Sequence, residues 1–283
     1  MRARTRLFAI LVAVAFVVPA TARQAVTKYV RYSMGGGAAT YGILEGDTIR
    51  ELKGDLFADP LVSSPTPTGR RVKLAEVRLL PPCDPKKVIA VGLNYKSHLG
   101  TQQPAAYPGL FAKYPTSLIA HGDDIVIPPD AKNVHYEGEL VLVIGKRAKN
   151  VSVANAKAHV FGVTAGNDVS ERDWQRADLQ WFRAKATDTF GPLGPAIVTG
   201  LNYDDLLLET RLNGEVVQSQ RTKDLIFNTA TIVSYVSRYV TLEPGDVIFT
   251  GTPGTTRAFK AGDVIEVEIE GVGVLRNKAV QGS

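Results

Sequence analysis

Glu137, Gly138 and Glu139 stand at the head of the apolar run 140–144 (Leu-Val-Leu-Val-Ile), and a third acid, Asp168, closes a second strand-like segment ending Gly166-Asn167-Asp168. On an extended chain residues i and i+2 project to the same side, so the two glutamates would lie together on one strand face. Adjacent carboxylates repel. They share a proton or hold a cation between them, and a third acid nearby favours the cation. With oxygen ligands only, and no histidine or thiolate to complete a tetrahedral set, the site suits a hard ion (Mg²⁺, Mn²⁺ or Ca²⁺) rather than zinc. Three carboxylates leave about half of an octahedral Mg²⁺ shell for water and substrate oxygens, which suits catalysis or ligand binding. Spacing alone leaves open that these are three separate surface acids.

The elements that must position these acids are mostly strands. Apolar segments at 87–91, 134–144 and 160–165 predict buried strands, and 247–250, 264–269 and 273–275 predict more toward the C-terminus. Asn213-Gly214, between Leu206-Leu207-Leu208 and Val216-Val217, predicts a hairpin, because both residues tolerate the positive φ of a type I′ turn. Helices are few and short: 152–160 after Ser152, 170–181 after Ser170, and 228–239, where Ile232, Val233, Val236 and Tyr239 recur with helical spacing. From residue 28 to 80 short strands alternate with turns. The Gly35-Gly36-Gly37 triplet has strands on both sides and no helix after it, so it reads as a loop rather than a phosphate cradle. The Ser/Pro/Thr-rich stretch 63–69 and Pro81-Pro82 mark breaks. These breaks divide the chain into a small β-rich N-terminal domain, 23–82, and a larger, mainly β (α+β) domain, 83–283.

Residues 1–22 follow the order of a secretory signal peptide. Arg2, Arg4 and Arg6 precede twelve apolar residues, 7–18, and Ala20-Thr21-Ala22 forms an A-x-A cleavage site. The apolar stretch is too short to span a bilayer comfortably, so the expectation is an exported, periplasmic protein with no stable membrane anchor. Cleavage after Ala22 removes three arginines from a formal net charge of +5 and leaves +2. No basic cluster then remains to suggest nucleic acid. Cys83 is the only cysteine, so an exported product would have no internal disulfide.

Further segments occur in order along the chain: Val91-Gly92-Leu93-Asn94-Tyr95 with His98, Tyr136-Glu137-Gly138-Glu139-Leu140, Asn167-Asp168-Val169-Ser170 with Arg172, Asp173 and Gln175, then Lys185 with Asp188-Thr189-Phe190 and Gly194-Pro195, and Thr250-Gly251-Thr252-Pro253. Together they closely resemble the fumarylacetoacetate hydrolase family, in its prokaryotic branch of acylpyruvate hydrolases, oxaloacetate decarboxylases and ureidoglycolate lyase-like proteins. The resemblance covers about 87–275. It implies a mixed β-sandwich roll with short helices, a homodimer, and one divalent metal per site, held by Glu137, Glu139 and Asp168. It implies Lys185 as the active-site lysine, Gln175 and Thr252 at the substrate, and Arg172 either at the substrate or bracing the metal-binding strand.

The implied chemistry is cleavage of a C–C bond next to a carbonyl in a small 2-oxo, acylpyruvate-like acid, with the metal and Lys185 stabilising the enolate that leaves. His98 is the candidate base for water. In related members that hydrolyse or decarboxylate, such a histidine works with a glutamate three residues on, under a closing loop; here position 101 is Thr, which cannot take a proton at neutral pH. The lid itself is expected at 101–115. The tract Thr252-Pro253-Gly254-Thr255-Thr256 departs from the family's glycine-rich continuation and alters the pocket wall. Two alternatives accompany the hydrolase reading: a decarboxylase or tautomerase, which needs less help activating water, and a non-catalytic binder of metal and 2-oxo acid.

Overall fold

The strand Gly138–Ile144 is buried along its whole length, which is why its sequence is continuously apolar rather than alternating. The computed structural model describes residues 25–58 and 64–283; the segment 1–22, read above as a signal peptide, lies outside them. Two sheets account for most of the architecture. In the larger, the strands run in the order Thr66–Lys73, Thr48–Lys53, Thr40–Glu45, Thr27–Ser33, Gly191–Thr199, Val160–Asn167, Gly138–Ile144, Val247–Phe249, Val88–Gly92, Gly109–Lys113. Most pairs are antiparallel, but Val247–Phe249 runs parallel to Val88–Gly92. The smaller sheet orders Glu215–Arg221, Leu207–Leu212, Val264–Ile269, Gly273–Gln281 and Asp124–Ile127. This is the mixed, mainly β arrangement with few short helices, β-rich at its N-terminal end, that the sequence predicts.

Alternation along Gly138–Ile144 divides the core. Leu140, Leu142 and Ile144 pack with Leu208, Val267 and Ile269 of the smaller sheet and with Ile232, Val233 and Val236 of the helix Thr229–Tyr239. Val141 and Val143 pack the other way, with Val88, Ala90, Ile197, Val247 and Phe249. Gly138 therefore faces the smaller sheet, where an added Cβ would lie 2.1 Å from Thr210 Oγ1 and 3.2 Å from Val267 Cγ1. The residue between the glutamates is glycine because that side is already full.

Several predicted elements take a different extent. The hairpin forms as Leu207–Leu212 and Glu215–Arg221, with Asn213 at φ 53 and Gly214 at φ 85. The helix expected over 170–181 is instead Arg172–Ala177, capped by the Glu171 carboxylate accepting from Trp174 N–H, followed by a second helix, Phe182–Ala186. Between them Trp181 is left-handed, at φ 57, which interrupts any continuous helix. Residues 109–113, expected within the lid, form an edge strand against Val88–Gly92; only the segment up to Pro108 is loop. The strands before Pro81-Pro82 are not a separate sheet, since Thr27–Ser33 pairs with Gly191–Thr199.

Candidate active site

Two local devices bring the three carboxylates together. Gly138 pairs with Asn167 and Glu139 with Gly166 in the antiparallel ladder. Just beyond its end, Glu137 N–H donates to Asn167 Oδ1 (2.8 Å) and Asp168 N–H donates to the Glu137 carbonyl (2.8 Å). One ladder thus sets the chain positions of all three acids. Each offers an oxygen within 4.8 Å of the others, and all three side chains are buried. They lie at the floor of a cavity of about 540 Å³ that Glu137 and Glu139 line together with His98, Arg172, Gln175, Lys185 and Thr252.

Cations surround Glu137 and Asp168 but not Glu139. Lys185 Nζ donates to Glu137 Oε2 (2.7 Å) and Asp168 Oδ2 (2.6 Å), while Lys113 Nζ donates to Asp168 Oδ1 (2.7 Å) and to the Lys185 carbonyl. Arg172 donates to Glu137 Oε1. Burial by itself would raise the Glu137 carboxyl, but Lys185, Arg172 and His98 outweigh it and hold it well below the ordinary carboxylate range. Glu139 goes the other way: burial, then the charges of Asp168 and Glu137, push its carboxyl well above that range. Its Oε2 accepts from Gly251 N–H (2.6 Å), the one donor it meets among the described residues. Burial pulls Lys185 down, yet Asp168 and Glu137 leave its ammonium above the ordinary lysine value; burial lowers Lys113, with Asp168 opposing.

Gly251 sits at φ 107, where an added Cβ would come within 2.7 Å of Asn94 Cβ. The Thr250-Gly251 peptide is held there by Asn94, whose Nδ2 donates to the Thr250 carbonyl (2.8 Å) and whose Oδ1 accepts from Phe227 N–H (2.8 Å). The Asn94 and Gly251 motif residues are therefore scaffolding for the donor that meets Glu139.

His98 stands at the cavity wall, its Nε2 3.6 Å from Glu137 Oε1 and its Nδ1 2.5 Å from the Gly254 carbonyl. A carbonyl oxygen only accepts, so Nδ1 carries the hydrogen and Nε2 is turned toward the carboxylates. Thr101 is exposed, as are residues 102–107. The Thr252 hydroxyl donates to the Gly138 carbonyl (2.9 Å) and accepts from Gln218 Nε2 (2.8 Å), so both of its bonds are internal. Gln175 Oε1 accepts from Arg172 Nη1 (2.7 Å), as expected for neighbours three apart on one helix face. Arg172 also donates to Thr256 Oγ1 (2.9 Å), which ties the altered 252–256 tract to the floor.

Lys113 is the site residue missed by sequence reasoning, which read it only as part of the lid. Its side chain is 0% exposed, and a lysine so buried requires a charge partner. The available signal was its place at the end of the apolar segment Leu110-Phe111-Ala112, although its partner Asp168 lies far along the chain.

The donor set fits a hard cation. Three buried carboxylates converge, and one of them, Glu139, has no counter-charge of its own, which is the position a divalent ion would fill. A mixed β-roll with such a floor, flanked by two buried lysines and opening to a small cavity, has the form of an enzyme site with a candidate seat for a divalent ion. Comparison with known proteins places it more closely. Residues 87–280 match the family described as fumarylacetoacetate (FAA) hydrolase, C-terminal, and residues 27–82 the one described as Rv2993c-like, N-terminal. Human mitochondrial oxaloacetate tautomerase FAHD2A is 43% identical over 221 residues, covering 73% of this chain and 70% of that protein. Among solved structures, 2-hydroxyhepta-2,4-diene-1,7-dioate isomerase from Mycobacterium marinum superposes with a TM-score of 0.83 at 40% identity, over 91% of this chain and 99% of that one. Maleylpyruvate hydrolase from Sphingobium sp. SYK-6, solved with manganese(II) ion and pyruvate, superposes with a TM-score of 0.74 at 28% identity, over 90% and 100%. The chain belongs to the fumarylacetoacetate hydrolase family.

Proposed function

We propose that this enzyme cleaves the C–C bond next to a carbonyl in a small, acylpyruvate-like 2-oxo acid, using a divalent ion held by Glu137, Glu139 and Asp168. The observation that carries the reading is the convergence of those three buried carboxylates beside Lys185 and Lys113 at the floor of the cavity. Mg²⁺, or Mn²⁺ or Ca²⁺, bound there would polarise the 2-oxo group and stabilise a developing enolate. The protein's own residues supply the rest. Lys185 puts a fixed positive charge where the enolate oxygen would develop, and because it is already oriented by Glu137 and Asp168 it needs no reorganisation during reaction. His98 Nε2 takes a proton from water as the water oxygen bonds to the acyl carbon. The C–C bond then breaks, its electron pair passes to the 2-oxo acid as the enolate, and the proton held at His98 returns to carbon. The products are a carboxylic acid and a 2-oxo acid.

A second reading, keto–enol tautomerisation or decarboxylation, is favoured by one feature: Thr101 is exposed and carries no charge to help His98 activate water. Its test is turnover of acetylpyruvate and oxaloacetate by the purified protein with Mg²⁺ or Mn²⁺. Acetate and pyruvate formed from acetylpyruvate support hydrolysis. Enol–keto conversion or decarboxylation of oxaloacetate with acetylpyruvate left intact would replace it with the second reading. Oxalate binding with no turnover of either compound would mark a binder.

A further inference from the structure

One wall of the cavity is apolar, and neither the proton chemistry nor the charge chemistry above uses it. Val91, Leu93, Phe111 and Trp181 line it. The Phe111 and Trp181 rings meet edge to face, with centroids 5.4 Å apart and planes at 71°. Lys185 Nζ lies 5.0 Å from the Phe111 ring centroid, within reach of a cation–π interaction. The wall therefore begins at the ammonium that spans Glu137 and Asp168 and runs outward to Leu93, which is 38% exposed. Leu93 and Trp181 both hold left-handed backbone, at φ 56 and φ 57. That conformation is unfavourable for a bulky L-residue, and its clustering at a site is a pointer to function. At Trp181 it also opens the helix Phe182–Ala186 that carries Lys185, so wall and lysine are fixed by the same backbone.

The charged groups across the cavity are already engaged. Each lysine and arginine lining it faces a carboxylate of the chain: Lys185 on Glu137 and Asp168, Arg172 on Glu137, Arg176 on Asp173. Of the lining cations only Arg176 is held by an exposed pair, so a substrate ending in a second carboxylate would have to draw Arg176 away from Asp173 to be compensated for the water it loses. An alkyl or aryl tail would bury against two aromatic rings and a leucine.

We infer that Leu93, Phe111 and Trp181 form an apolar subsite for the tail of the substrate, selecting 2-oxo acids that end in a short alkyl or aryl group over those that end in a second carboxylate. This rests on the proposal that the three carboxylates seat the 2-oxo acid head, and the two can fail separately. The chain has two tryptophans, Trp174 and Trp181, so Trp174→Phe leaves Trp181 as the only indole. With Mg²⁺ present, this protein is titrated with oxalate (head alone), 2-oxohexanoate (apolar tail) and 2-oxoglutarate (acidic tail of similar length), by calorimetry and by Trp181 emission. The expected result is 2-oxohexanoate binding about tenfold more tightly than 2-oxoglutarate, with a change in Trp181 emission that oxalate does not produce. Phe111→Ala, and as a milder rim variant Leu93→Ala, should weaken 2-oxohexanoate, by about tenfold and a few-fold respectively, while oxalate stays within about twofold. Equal or tighter binding of 2-oxoglutarate, or a parallel loss of oxalate in both variants, would overturn the subsite. Failure of oxalate to bind at all would overturn the carboxylate seat, and the tail subsite with it.

Discussion

The floor and the rim of the cavity are built on opposite principles. The floor is side chains locked by ladders and ion pairs: Glu139 and Asp168 are each 1% exposed, Lys185 bridges Glu137 and Asp168, and Lys113 holds Asp168, with the backbone positions of the acids set by one antiparallel register. The rim, from His98 to Tyr107, is largely exposed loop in which Thr101 offers no charge. There His98 Nδ1 is fixed by a backbone carbonyl, that of Gly254, and the one carboxylate beside the ring is Glu137 of the floor, 3.6 Å from Nε2, with no acid from the rim itself among the described residues. A carbonyl fixes the ring and its tautomer but adds no charge to support an imidazolium. On the proposed function the floor stabilises an enolate, a step shared by hydrolysis, decarboxylation and tautomerisation, whereas the rim decides whether water enters the reaction.

Substitutions on the two sides should separate those steps. The largest effect is expected at the floor, where Lys185→Met removes the positive charge next to the developing enolate. Turnover of every substrate should fall by about 10²–10³ in kcat, the size seen when a fixed electrostatic donor is lost. A loss confined to one reaction would break the division. His98→Ala comes next. Hydrolysis of acetylpyruvate should fall by roughly 10²-fold through loss of the general base, with enol–keto conversion of oxaloacetate changed much less. Equal losses in both would place His98 in the shared step, and an unaffected hydrolase would remove it as the base. The smallest effect is expected from Thr101→Glu, which restores a carboxylate on the loop. Hydrolysis should rise a few-fold, read as product formation from acetylpyruvate, and a decrease would show that the Gly254 carbonyl alone is the better partner for His98.

The same division explains what could be read from the chain. Glu137 and Glu139 were legible as a pair because strand periodicity, which is local, sets their geometry; Asp168 lies beyond a connection over 145–159 that includes two short helices, and it was joined to them by the motif resemblance rather than by spacing. Helix Thr229–Tyr239 and the Asn213-Gly214 hairpin were legible because their signals are local too. What escaped depends on contacts distant in sequence. Lys113 is a site residue only because Asp168 and the Lys185 carbonyl reach it. The strand Gly109–Lys113 looked like lid because Pro104, Pro108 and Gly109 signal loop, while its ladder to Val88–Gly92 leaves no mark in composition. Gly254 was invisible as a partner of His98, because a backbone carbonyl has no residue type to search for. Trp181 hid a helix break, since left-handed backbone at a tryptophan runs against its intrinsic preference.

Everything proposed for this protein depends on the floor holding a divalent ion through a carboxylate that has no other counter-charge. Calorimetric titration of Mg²⁺, repeated with Mn²⁺, into the wild type and Glu139→Ala tests that directly, with circular dichroism and thermal melting to establish that the variant is folded. Saturable binding near one ion per chain in the wild type, and none detectable in a folded Glu139→Ala, is the expected result. Unchanged affinity in that variant would contradict it.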